Sequence, residues 1–168
     1  MINRGISEKK ITHDSASEQD MISSFMTNFS IETTPNSAKK VESFSQILRP
    51  RTTVYITFLP GSDYKDTVKT ARRLRDEGMV PAPHFAARSI SSPEMLNDYL
   101  ARASGEAGVD KVLLIAGASK EPIGPYSDTM QLLETGAFDR EGIKQIGLAG
   151  HPEGSPDMSD EAISNALN

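Results

Sequence analysis

Five strand-like runs alternate with helical patterns along the 168 residues, and this alternation constrains the fold more than any single motif. The first run is Phe29–Pro35. Phe29 and Ile31 point one way and Ser30 and Glu32 the other, at the period of a strand, before Pro35 closes it. Thr53–Leu59 is rich in β-branched and aromatic residues. Val80–Arg88 carries its prolines near the start, where a missing donor costs little. Val109–Gly117 is apolar enough to be covered on both faces, and Ile143–Gly150 completes the series. Such alternation means a parallel sheet with right-handed crossovers. Periodicity leaves two arrangements open. An open flavodoxin-like sheet would run 2-1-3-4-5, whereas a section of a barrel wall would run 1-2-3-4-5. Five strands in a chain of this length suit the open sheet.

The connecting helices have their own signals. Residues 1–28 read as a polar arm with a short helix, Met21, Ile22 and Phe25 on one face, ahead of an α/β domain over 29–168. Asn36 or Ser37 is positioned to cap a helix through Ala38, Val41, Phe44 and Leu48, stopped by Pro50. Ser62 or Asp63 begins the next, which buries Tyr64, Val68, Ala71 and Leu74, turns Lys69, Arg72 and Arg73 to water, and ends at Gly78. Ser92-Pro93-Glu94 starts a third, with Leu96, Tyr99, Leu100 and Ala103 as its buried stripe. A loop from Ala118 to Asp128 leads to a helix near Met130–Leu133, and Ser159 begins a last one.

Composition narrows the function classes. The net charge of -5 offers no basic footprint for nucleic acid. No apolar run approaches the roughly 20 residues that span a bilayer, and the start lacks a secretory core, so a cytoplasmic protein is expected. Without cysteine there is no disulfide, thiolate metal site or cysteine nucleophile. His13, His84 and His151 form no helical pair, which argues against zinc. Glu32 ends the first strand at the rim where parallel α/β folds bind ligands, although a solvated strand-end glutamate would look the same.

Taken together, Phe29–Pro35, Thr53–Thr57, Pro83–Ala87, Val112–Gly117 and Ile146–Pro156 resemble the N-terminal part of the methylenetetrahydrofolate reductase family. The resemblance implies a partial (β/α)8 TIM barrel of five βα units in sequential order. It also implies FAD as cofactor, NAD(P)H as electron donor, and reduction of 5,10-methylenetetrahydrofolate to 5-methyltetrahydrofolate in one-carbon metabolism. Glu32 falls on the family's general acid, which protonates the folate as its ring opens. A carboxyl taken out of water can have its pKa raised, as that task requires. Thr57, His84, Gly117, Ala118, Tyr126 and His151 fall on cofactor-binding positions. Each also has a plainer reading: Thr57 a β-branched strand residue, His84 a core histidine, Gly117 a turn glycine, Tyr126 packing at the start of the next helix, and His151–Pro156 a rigid turn. Arg88 suits a phosphate or solvent equally.

Two departures accompany the resemblance. The family's Arg-Gly-Asp after strand four is Ala116-Gly117-Ala118 here, which deletes the aspartate that stabilises the cationic folate intermediate; Ser155 replaces a usual histidine. The barrel also takes about 250 residues, so the chain is expected to be a fragment, or to complete its barrel as a homo-oligomer or with a partner segment. The alternative is a non-catalytic α/β module that binds a nucleotide or a protein, though no Gly-x-Gly-x-x-Gly or Walker loop supports it. A serine hydrolase lacks its Gly-x-Ser-x-Gly.

Overall fold

The computed structural model describes residues 17–149 together with Ser159, Glu161 and Ser164. At its centre is an all-parallel five-stranded sheet in the order β1-β2-β3-β4-β5. The strands are β1 (Ser30–Thr33), β2 (Thr53–Ile56), β3 (Val80–Ala86), β4 (Lys111–Ile115) and β5 (Gln145–Leu148). Sequential order distinguishes this sheet from the flavodoxin arrangement. When every crossover has the same hand and the order never reverses, all the helices lie on one side.

The core shows that one-sidedness. Val54, Ile56, Phe85, Val112 and Leu114 pack against helices α4 (Tyr64–Asp76), α5 (Pro93–Ala107), α6 (Thr129–Glu134) and α7 (Ala137–Arg140). Phe85 is the hub. Its ring stacks on Tyr99 of α5 at 4.0 Å between centroids and meets Phe138 of α7 edge-on at 5.4 Å. The register places Glu32, Tyr55, Ala82, His84, Leu113 and Ile115 on the opposite face, and none of them belongs to that core. In β4, Val112 and Leu114 are buried while Leu113 and Ile115 are half-buried, so the strand is not covered on both faces as its apolar run suggests. Helix α7 has no counterpart among the sequence-based expectations.

Caps follow the sequence closely in α4 and α5. The Asp63 carboxylate accepts from Lys65 N–H, and the Ser92 hydroxyl accepts from Met95 N–H with Pro93 in the first turn. Gly108, at φ 58°, ends α5 in the left-handed conformation.

The predicted helix over 36–48 is corrected. Thr34, rather than Asn36 or Ser37, caps a single turn, α2 (Pro35–Ala38), and a second single turn, α3 (Phe44–Ile47), begins afresh. Arg73 explains the break. Its guanidinium donates to the carbonyls of Ala38, Val41 and Glu42 at 2.8, 2.7 and 3.0 Å, the oxygens a continuous helix needs for its own ladder. Glu77 pairs with Arg73 at 2.7 Å and accepts the Phe44 N–H. Arg73 is therefore a half-buried anchor and not a solvated side chain. The arm helix α1 (Glu18–Phe25) forms with a capping box at Ser17, but Met21, Ile22 and Phe25 all stay exposed. The remainder of the arm (1–16) and most of the expected C-terminal helix lie outside the described residues.

Candidate functional site on the uncovered face

Three of the expected site residues converge because their strands are neighbours in register. Glu32 sits opposite Tyr55, and Tyr55 opposite Ala82. Thr57 follows Ile56, which pairs with Pro83, so Thr57 and His84 share one level of the sheet. Thr57 N–H donates to Thr33 O at 2.8 Å, and its hydroxyl donates to the Glu32 carboxylate. The Glu32 charge in turn acts on His84. All three project from the helix-free face near the carboxyl ends of their strands, where parallel sheets place ligands.

His84 is the unusual member. It is only 5 % exposed, and neither Nδ1 nor Nε2 has a hydrogen-bond partner among the described residues. Buried polar atoms are nearly always paired, so an orphaned imidazole is a specific anomaly. Burial depresses its pKa below the ordinary 6.5, with the Glu32 carboxylate opposing that shift, and the ring is neutral at neutral pH. Tyr55 lies beside it with centroids 6.0 Å apart. Behind the strand, the Tyr99 hydroxyl donates to the His84 carbonyl at 3.3 Å, which ties the site to the core.

Gly117 closes the same end. Its φ of 95° suits glycine, and a Cβ there would stand 3.2 Å from the Ala86 Cβ. Close packing of the β4 and β3 ends thus explains this glycine before any ligand is considered. Ala118 follows it and is exposed.

Glu32 itself is exposed, in a strand whose pattern is exposed, half-buried, exposed, buried, and is not taken out of water as the general-acid assignment would have it. Other expected residues go elsewhere. Tyr126 is 7 % exposed within the hydrophobic core, the packing role at the start of α6, and does not face the site. Arg88 lies in a single 3-10 turn (Ala87–Ser89) and donates to Ser127 O and Ser119 O at 3.0 and 3.1 Å; it clamps the β4–α6 loop and is neither solvated nor free for a phosphate. His151 and Ser155 lie outside the described residues.

Sequence reasoning passed over Gly124, whose hypothetical Cβ would meet Ile90 O at 2.2 Å. The loop rests directly on the backbone after β3, and the flanking Pro122 and Pro125 were its only signal. Among the described residues no group of three or more His, Asp or Glu side chains is placed to hold a metal ion. No helix among them is long and apolar enough to cross a membrane.

Leu113, Ile115, Tyr55 and Thr57 are half-buried around the buried Ala82 and Ala86, and both His84 nitrogens are closed off from solvent beneath them. The fold and the site together define a parallel α/β protein with a polar cluster on one uncovered sheet face. No known protein-family profile matches the sequence.

Proposed function

We propose that the protein is a flavin-dependent reductase acting on 5,10-methylenetetrahydrofolate, its sheet forming five strands of a (β/α)8 barrel wall. The observation that carries this reading is the convergence of Glu32, Thr57 and the unpartnered His84 at the carboxyl ends of adjacent strands. In a barrel, the helix-free face is the interior and that rim is the active end. His84, Thr57 and the Gly117 backbone would hold FAD, which supplies hydride transfer from NAD(P)H to the folate. Glu32 would deliver a proton to the folate nitrogen as its ring opens, with the Thr57 hydroxyl orienting the carboxyl. Ala118 leaves the reaction without the aspartate that the resemblance leads one to expect, and a cytoplasmic setting belongs to the same reading.

A non-catalytic module is the second reading. The exposure of Glu32 and the structural roles of Tyr126 and Arg88 favour it. The visible spectrum of the protein after incubation with FAD separates the two. Uptake that shifts the flavin bands and weakens in His84→Gln supports the reductase, whereas a protein that retains no flavin after desalting leaves the module.

A further inference from the structure

At the opposite, amino ends of the strands lies a cavity of about 920 Å3. Its walls carry Arg49, Arg51, Arg75, Lys111 and Lys144 against the single carboxylate of Asp110. That is four net positive charges inside a protein of net charge -5. Like charges do not gather in this way without cost, and although Arg75 also donates to the Ala107 and Gly108 carbonyls, one carboxylate does not neutralise five cations. Asp110 is shared by Arg75 at 3.7 Å and Lys144 at 3.5 Å. Among the described residues Lys111 reaches only a neutral hydroxyl, Thr53 Oγ1, at 3.4 Å. Arg49 and Arg51 have no ion pair among the described residues. Arg51 also holds a left-handed φ of 66°, fixed by its N–H donating to Gly78 O at 2.8 Å. Non-glycine residues in that conformation cluster at ligand sites.

We infer that this cavity binds a phosphorylated organic molecule of nucleotide size, independently of the chemistry proposed at the carboxyl rim. Two arguments set the class. Volumes of roughly 300–1,000 Å3 accommodate whole organic ligands and greatly exceed a bare phosphate. Beside the cations the cavity offers Phe29, Pro50 and Met79 as apolar wall, so one end of the ligand is anionic and the other is not. Guanidinium groups suit the anionic end because their forked donors match phosphate oxygens. The acidic balance of the whole chain disfavours a long nucleic acid, whose further phosphates would lie over negative surface.

Calorimetric titration of the full chain with ADP tests the inference. ADP is expected to bind saturably, more weakly as salt rises, and at least tenfold more tightly than adenosine. Arg49→Gln and Arg51→Asn, the latter keeping a residue that tolerates a left-handed φ, are each expected to weaken it at least fivefold. Lys111→Gln, on a separate strand, is expected to do the same, so a folding defect in one variant does not decide the matter. Absence of saturable binding at millimolar ADP overturns the inference. So does ADP affinity that falls in His84→Gln but not in the arginine variants, because the nucleotide then sits at the other end of the sheet. A single-stranded oligonucleotide that binds tenfold more tightly than ADP overturns it as well, in favour of a nucleic-acid surface.

Discussion

At the scale of single residues, His84 and Glu32 are coupled through their charges. The folded pKa of His84 lies below its ordinary 6.5 because burial disfavours the imidazolium. The unfolded chain therefore takes up that proton more readily. Stability from this group is fully present above pH 6.5 and is lost as pH falls toward the folded value. Thermal unfolding should show a midpoint that drops on acidification through this window, and His84→Gln should flatten the dependence. Glu32→Gln should shift the His84 titration, followed by NMR, to still lower pH, because the carboxylate is what opposes the depression. An unchanged titration would mean that the two side chains do not meet in solution. Under the proposed function the same variant separates the half-reactions. Flavin reduction by NAD(P)H needs no proton on the folate and should be nearly intact, while folate reduction should fall by about 10²–10⁴-fold, the usual contribution of a general acid. Ala118→Asp should act on that second half-reaction in the opposite direction, by restoring negative charge beside the cationic folate. Stopped-flow measurement of each half decides this. Equal losses in both would give Glu32 a structural role.

At the scale of elements, most of the chain was legible where local chemistry decides. Ser92-Pro93-Glu94 is a helix start whatever surrounds it, and Asp63 caps α4 by the same local rule. The stretch 36–48 was illegible because its spacing is helical while its hydrogen bonds are claimed by Arg73 from 31 to 35 residues away. Tyr126 and Arg88 misled for a related reason, since nothing local says whether a loop side chain turns to the core, to a carbonyl or to a ligand. Arg73→Ala removes donors from three carbonyls and leaves the part-buried Glu77 without its ion-pair partner. It should lower stability by about 2–3 kcal/mol, as for charged hydrogen bonds, read as a lower urea midpoint. Arg73→Lys should restore less than half of that, because one ammonium cannot span the positions that a forked guanidinium reaches. Burial works against the Glu77 charge, but the Arg73 guanidinium and the Phe44 N–H hold its carboxyl below the ordinary 4.5. Its contribution is thus present above pH 4.5 and lost as pH falls through the folded value. In Arg73→Ala that acid-side loss should shrink.

For the whole molecule, period and length left strand order as a pair of alternatives, because they do not encode which strands are neighbours, and the sequential order that the resemblance implies is the one observed. The observed order has a physical consequence. With the helices on one side, the sheet keeps a face bearing half-buried Tyr55, Leu113 and Ile115, and β1 and β5 are its two edges among the described residues. Unpaired strand edges and uncovered apolar surface both favour association. The purified chain should therefore sediment as a species whose mass grows with concentration. Leu113→Lys tests which feature dominates: it places a charge on the uncovered face and leaves both edges as they are. If the faces meet one another, this variant should sediment as a monomer at concentrations where the parent chain associates. If association persists unchanged, strand edges are the contact. A parent chain that remains a concentration-independent monomer and unfolds in one cooperative step would contradict the expectation altogether, and would show that the face is already covered in solution.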